Sequence, residues 1–417
     1  MLKSLKKAKI ENKTVLLRSD FDVPVGESEN RNVGEIRVKD DFRILQSLET
    51  INHLRKQKAK TVIISHLGRP QGKDNKLSLA PVAHHLAGLL DLKVVEIDQD
   101  TKKLPHYPIP HFFFFTVDID NPKLKEFIAD LNPCDVAMLE NIRFNAGEET
   151  GDEGFTKILS NLGEIYVNDA FGVSHRDHAS ITGIPKYLPH YPGLHLEQEL
   201  RILETVVKNP KRPFILVIGG IKLSDKLEGL AGLIKKVDQV LVGGGLAALF
   251  FAARGFGIGK SIVEKGSMGK AKDLLRDYKS KIILPQDVVV AVSSTKLQTI
   301  EVVSPEKIPP SKAVLDIGPA TIQKFSEHIK LAKTIVWSGP LGLFEVREFS
   351  HGSKAIGRLI ASRSSGIALG LAGGGNTVEV LRAIGMENDM DFLSSGGSAM
   401  LQYLGGVGLP GIKILES

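Results

Sequence analysis

The chain has 417 residues, 42% hydrophobic and 24% charged, a balance that excludes disorder and a membrane-embedded fold and leaves room for two ordinary domains. Lys and Arg number 54 against 48 Asp and Glu, a net charge of +6 that suits small anionic ligands; with one Trp, six Tyr and no basic run interleaved with aromatics, nucleic acid is not an expected partner. The single Cys134 excludes an intramolecular disulfide framework and points to the reducing cytoplasm, while the absence of any apolar run near the roughly 20 residues of a membrane span, or of a signal peptide's apolar stretch, removes the membrane as a partner.

In chain order, short apolar runs end in loops bearing Gly, Asp or His, and each is followed by a helix-compatible segment. The first half carries such runs at Thr14–Arg18, Thr61–His66, Val94–Ile97, Phe112–Val117, Val136–Leu139 and Ile165–Asn168. Most are continuously apolar, as strands of a parallel sheet covered on both faces must be. A Pro-rich break at Tyr187–Gly193 precedes Leu196–Lys208, whose apolar residues fall at helical spacing. The second half repeats the pattern at Phe214–Ile218, Val240–Val242, Ile282–Leu284, Ala313–Ile317, Thr334–Trp337 and Ile367–Leu371. The expected fold is α/β: two doubly wound parallel-sheet (Rossmann-like) domains, residues 1–192 and 209–404, joined by a hinge helix over 193–208.

Ligands of open parallel sheets bind beyond the carboxyl ends of the strands, so the loops after the strands carry the information. In the first half these hold Asp20-Phe21-Asp22, His66-Leu67-Gly68-Arg69, Arg143 and His175-Arg176-Asp177-His178. With Arg18 and Arg43 they gather cations suited to phosphate and carboxylate. The pair His175 and His178 lacks further ligands for a metal. In the second half the loops are Gly219-Gly220-Ile221-Lys222, Gly243-Gly244-Gly245, Gly318-Pro319, Gly339-Pro340, Gly373-Gly374-Gly375 and Gly396-Gly397. Backbone amides can approach phosphates closely at glycines, and helix N-termini add partial positive charge. Gly243–Ala248 meets the dinucleotide pattern only loosely, and Arg254–Ser261 has Arg where a P-loop needs Gly.

Eight blocks in order, from Arg18-Ser-Asp20-Phe-Asp22-Val-Pro24 through Ser65-His-Leu-Gly-Arg69, Leu139-Glu-Asn-Ile-Arg143, Asn168-Asp-Ala-Phe-Gly172, Gly219–Lys226, Trp337–Glu345, Gly373–Thr377 and Ser395-Gly-Gly397, make the sequence resemble phosphoglycerate kinase over essentially its whole length. The resemblance implies that the N-terminal half binds 3-phosphoglycerate or 1,3-bisphosphoglycerate. Asp20, Phe21, Asp22, Arg43, His66, Leu67, Gly68, Arg69, Arg143, His175 and Arg176 match that site, with Arg43 beside the transferred phosphoryl group. It implies ADP or ATP, with Mg2+, on the C-terminal half. There Lys222 and Lys226 match the nucleotide phosphates, Gly243 and Gly244 the adenine turn, Glu345 the ribose, Gly373, Gly374, Gly375, Asn376 and Thr377 the phosphate loop, and Gly220 and Pro340 the nucleotide site at large. Arg43, Lys222, Gly374 and Gly397 form the implied catalytic set, segment 405–417 is expected to return to the N-terminal domain, and a monomer is implied.

The residue types agree with that chemistry. The carboxylate that leaves or attacks is already ionised at neutral pH, so no general base is needed and transfer becomes a matter of positioning and charge neutralisation. Four positions depart from the family pattern: Asn376 stands where it has Asp, Ser338 and Asp22 where it has Asn, and Ser398 where it has Gly. Asn376 leaves at most a neutral oxygen for the metal, and Asp225 is a candidate to restore the charge. A non-catalytic nucleotide-binding relative of the same fold is the competing reading. A nicotinamide dehydrogenase resting on Gly243–Ala248 is weaker.

Overall fold

Every residue of strand Thr14–Arg18 is buried, as an apolar run with strands on both sides requires. It pairs in parallel with Lys60–Ile64 and Ile165–Asn168. The computed structural model describes residues 2–27, 36–221 and 223–416. It places these strands in a seven-stranded sheet ordered Val94–Ile97, Phe112–Phe115, Val136–Leu139, Lys60–Ile64, Thr14–Arg18, Ile165–Asn168 and His190–Pro192. All its pairings are parallel. The four Phe residues 112–115, read from sequence as a buried strand, are all buried here.

A second parallel sheet runs Ile282–Ile283, Gln239–Val242, Phe214–Ile218, Thr334–Ser338, Leu369–Gly373, Phe392–Ser394. Its strand order reverses between Phe214–Ile218 and Thr334–Ser338, the crevice where doubly wound folds bind ligands. One expected strand lies elsewhere. Ala313–Ile317 runs antiparallel to Val288–Ala291 in a separate three-stranded sheet with Glu301–Val303. Only its last two residues are buried, so it lacks the two covered faces of a central parallel strand. Phe392–Ser394 takes the edge position in the parallel sheet; three residues are too few to show a period in sequence.

The chain divides into two compact units, one reaching Leu200 and including the segment from Leu409 onward, the other running Arg201–Gly408. The division falls inside helix Leu194–Lys208. That helix starts where first-unit side chains cap it: Thr50 Oγ1 accepts from Leu194 N at 2.9 Å and Asp169 Oδ1 from Leu196 N at 3.0 Å. Burial pushes the Asp169 carboxyl up to about 6. The returning C-terminal segment docks through Gly411, whose N–H donates to Ser174 O at 2.9 Å.

Candidate functional site

Four parallel strands of the first unit, Thr14–Arg18, Lys60–Ile64, Val136–Leu139 and Ile165–Asn168, end at one sheet edge and deliver the sequence-selected loops there. Ser65 ties two of these loops together, accepting from Phe21 N at 3.0 Å and donating to Ser19 O at 2.7 Å. Asp22 Oδ1 accepts from Gly68 N at 2.8 Å, and Gly68 sits at φ 63°, where glycine costs least. Arg43, in the first turn of helix Phe42–Lys56, places Nη1 2.8 Å from Asp22 O and 3.3 Å from Asp20 Oδ1. Asp20 is 4% exposed, and its Oδ2 is buried without a hydrogen-bond partner among the described residues, an acceptor suited to a ligand hydroxyl.

Arg143 donates through Nη1 to Gly68 O at 2.7 Å and lies 3.3 Å from Glu149 through Nε. Burial, and then Arg18, lower its pKa. Arg69 is exposed, and His175 and Arg176 are half-buried. Phe21 and Leu67 are buried, and the N–H of Phe21 is spent on Ser65 Oγ. Arg18 differs from the sequence reading. Grouped there with ligand-facing cations, it is fully buried and spends its guanidinium inside the unit. Asn141, not singled out from sequence, fixes the basic loop by donating to Leu67 O at 2.8 Å and Leu77 O at 2.9 Å.

In the second unit three glycine turns pack at the reversal of strand order. Gly243 N donates to Ile218 O at 2.9 Å, Gly244 N to Leu341 O at 2.8 Å and Gly219 N to Ser338 O at 3.1 Å. Gly220, Gly244 and Gly339 have positive φ, and a Cβ on Gly244 would meet Gly220 N at 2.7 Å. Lys226 is buried and donates from Nζ to Gly219 O and Ser338 O, pinning the two central strands. Pro340 is buried against these turns and Glu345 is exposed. Lys222 lies outside the described residues, as does the side chain of Asp225.

Beside these turns, helices Gly375–Ala383 and Gly397–Gly405 begin at neighbouring loops. Gly374 has φ 93°, and a Cβ on it would meet Gly397 Cα at 3.2 Å. Two helix N-termini so close form an amide-lined cradle for anionic charge. Thr377 is buried, its Oγ1 donating to Gly373 O at 2.9 Å and accepting from Gly339 N at 2.8 Å, and it braces the cradle; Asn376 is exposed at its rim. Ser338 Oγ is buried without a partner among the described residues.

Asp316 supports the loop that carries Glu345. Its carboxylate accepts from Ile317 N and Gly352 N, each at 2.8 Å, and it packs against Gly342. Burial pushes its pKa up to about 7. A raised acid pKa favours the protonated native state, so the charge costs stability progressively as pH rises from the unfolded value of 3.8 towards 7. Asp316→Asn should therefore gain melting temperature relative to the wild type between about pH 4 and 7, by roughly 2–4 °C per kcal/mol for a unit of this size. Thermal scans at several pH values check it, and a difference that does not grow with pH counts against the assignment.

Among the described residues, no helix is long and apolar enough to cross a membrane, and no group of three or more His, Cys, Asp or Glu is placed to hold a metal ion. The sequence matches the family description Phosphoglycerate kinase over residues 5–407. It is 39% identical over 417 residues to a phosphoglycerate kinase of Pelotomaculum thermopropionicum, covering 99% of this chain and 98% of the relative. A Borreliella afzelii relative of the same name is 40% identical over 408 residues, covering 97% and 96%. The solved phosphoglycerate kinase of Coxiella burnetii superposes with a TM-score of 0.73 at 32% identity, covering 100% of this chain and 99% of that one. That of Pyrococcus horikoshii OT3 gives 0.80 at 28%, covering 100% and 98%. With cation loops at one sheet edge and glycine cradles at the other's reversal of strand order, and with matches running end to end, the chain belongs to the phosphoglycerate kinase family.

Proposed function

We propose that the chain catalyses reversible phosphoryl transfer between 1,3-bisphosphoglycerate and ADP, giving 3-phosphoglycerate and ATP, the glycolytic reaction of its family. The observation that carries this reading is that each unit has its own, chemically different anion cradle at the carboxyl ends of its strands: guanidinium groups in one, backbone amides at glycines in the other. Asp20 and Asp22 orient the glycerate hydroxyl, while His66, Arg69, Arg143, His175 and Arg176 take its phosphate and carboxylate. Gly243, Gly244, Pro340 and Glu345 hold the nucleoside. Gly220, Lys222, Lys226 and the cradle of Gly373–Thr377 and Gly397 hold its phosphates. Arg43, Lys222 and the amides at Gly374 and Gly397 act on the charge of the transferred group. Transfer requires the two ligands to meet, and helix Leu194–Lys208 is the hinge we assign. A cytoplasmic monomer is the form we expect.

Magnesium is tested by donor chemistry. The ion usually keeps several waters and binds through phosphates plus one or two protein oxygens. The exposed Asn376 at a helix N-terminus offers a neutral oxygen, and the partial positive charge there favours the phosphates that would carry the ion. When bound, it would neutralise phosphate charge. Asn376→Asp should lower the magnesium needed for half-maximal rate by about tenfold, the effect of roughly 1.4 kcal/mol from one added charge, and leave metal-free nucleotide binding nearly intact. An unmoved requirement in a magnesium titration removes Asn376 as a ligand.

A coupled assay of the purified protein with 1,3-bisphosphoglycerate and ADP tests the reading. ATP formation is expected. Saturable ADP binding without turnover marks the non-catalytic relative instead.

A further inference from the structure

We infer that Glu148, Ser180 and Arg18 form a buried positioning relay that holds His66 in its Nε2–H form and presents that N–H as a neutral donor to the phosphoglycerate side of the site. The inference rests on the reading of that site given above. All four residues are at most 1% exposed. Arg18 donates from Nε to Ser180 Oγ at 2.8 Å and from Nη1 to Ser19 O at 2.5 Å, and its Nη2 lies 3.2 Å from His66 Nδ1.

A guanidinium has donors and no acceptor. Nδ1 must therefore be the accepting nitrogen, and the proton of a neutral imidazole must sit on Nε2. The direction of every other link follows. Ser180 Oγ accepts from Arg18, so its hydroxyl proton goes to Glu148 Oε1 at 2.6 Å, while Ser180 N donates to Glu148 Oε2 at 2.9 Å. Arg18 Nη2 and His178 Nδ1 lie 4.0 and 3.7 Å from Glu148 Oε1, so the buried cation has a buried counter-ion and need not be neutralised by substrate.

On its far side, His66 Nε2 stands 4.0 Å from Asp20 Oδ1, too long for a hydrogen bond. The groups around the imidazole are Arg18, Arg143, Arg43, His178 and Asp20. Burial first, and then Arg18 and the other neighbouring cations, hold its pKa well below the ordinary value, in accord with a neutral ring. A neutral donor with a fixed tautomer binds phosphate without adding a proton that would titrate in the working pH range.

The test uses the full chain with nitrogen-labelled histidine, the His66 signals being assigned by their loss in His66→Gln. Two-bond nitrogen–proton spectra should show a pyridine-type Nδ1 and a protonated Nε2, unchanged between about pH 6 and 8, with Nε2 shifting when 3-phosphoglycerate is added. Arg18→Met should mix the tautomers and lower kcat/KM for 3-phosphoglycerate by about 30-fold, the scale of a hydrogen bond from a charged group, with the KM for ATP within about twofold. In the His66→Gln background the same substitution should add little, since both act through one contact. Should Arg18→Met fail to fold with Glu148 left uncompensated, Ser180→Ala and the pair Arg18→Met/Glu148→Gln make the same comparison. A protonated Nδ1 in the wild type, or an undiminished Arg18 effect without His66, overturns the relay. A correct tautomer that ignores 3-phosphoglycerate overturns the reading of the site on which the relay was given its purpose.

Discussion

Replacing Arg43 by alanine should lower kcat about a thousandfold while raising the KM for 1,3-bisphosphoglycerate less than about tenfold. On the proposed assignment, ground-state binding of a multiply charged acyl phosphate is shared among the cations of the first unit, so losing one removes a fraction of it. Charge that develops on the transferred group is met by few of them. Arg43 is placed differently from its neighbours. It stands at the start of a helix with a fifth of its side chain accessible, braced by Asp20 and by the backbone of Asp22, whereas Arg143 is turned onto Gly68 and Arg18 is enclosed. A braced but accessible guanidinium offers paired donors in a fixed plane without reorganising as charge moves. Arg43→Lys should recover part of the loss, because a point charge returns while the fork does not. Steady-state kinetics in the ATP-forming direction decide the matter. If kcat and KM change by equal factors, Arg43 is a binding residue and not one acting on the transition state.

What the sequence disclosed and what it withheld divide along a physical line. Strands such as Ile165–Asn168 and Phe214–Ile218 were legible because burial on both faces leaves a continuous apolar run. Glycine turns were legible because positive φ and close backbone approach admit little else. Ala313–Ile317 misled because an apolar run of strand length carries no record of which sheet it joins. Glu148 was invisible for another reason. In Gly147-Glu-Glu-Thr150 it reads as solvent-facing charge, and only the fold brings Arg18, His178 and Ser180 around it. Asp316 was hidden in the same way inside Ala313–Ile317, its partners Gly342 and Gly352 lying on a later loop and at the start of helix His351–Ser364. Buried polar partners come from distant parts of the chain, so patterns of local period cannot report them.

Gly219→Ala should raise the KM for nucleotide by more than tenfold and lower the melting temperature of the second unit by about 5 °C, with the KM for phosphoglycerate unchanged. Gly219 follows strand Phe214–Ile218 at the reversal of strand order, and its N–H donates to Ser338 O across it at 3.1 Å. A Cβ there would overlap Pro340 O and press on Pro340 C at 2.8 Å. Both are backbone atoms, which cannot rotate aside as a side chain would, so relief requires moving the turn Gly339-Pro340. That turn is held by Thr377 from the phosphate cradle and by Trp337 Nε1 donating to Gly339 O at 2.9 Å. The strain therefore spreads to the groups that shape the proposed nucleotide site. Overpacking of this kind costs about 1–3 kcal/mol, and a unit of this size loses roughly 2–4 °C per kcal/mol. Gly269→Ala is the control, since its Cβ would meet nothing within 4 Å in the first turn of helix Met268–Tyr278 and alanine is the better helix former. Nucleotide kinetics and thermal scans on both variants separate local crowding from general damage, and a Gly219→Ala protein that matches the Gly269→Ala control in both would mean that the turns tolerate a side chain and do not set the geometry of the nucleotide site.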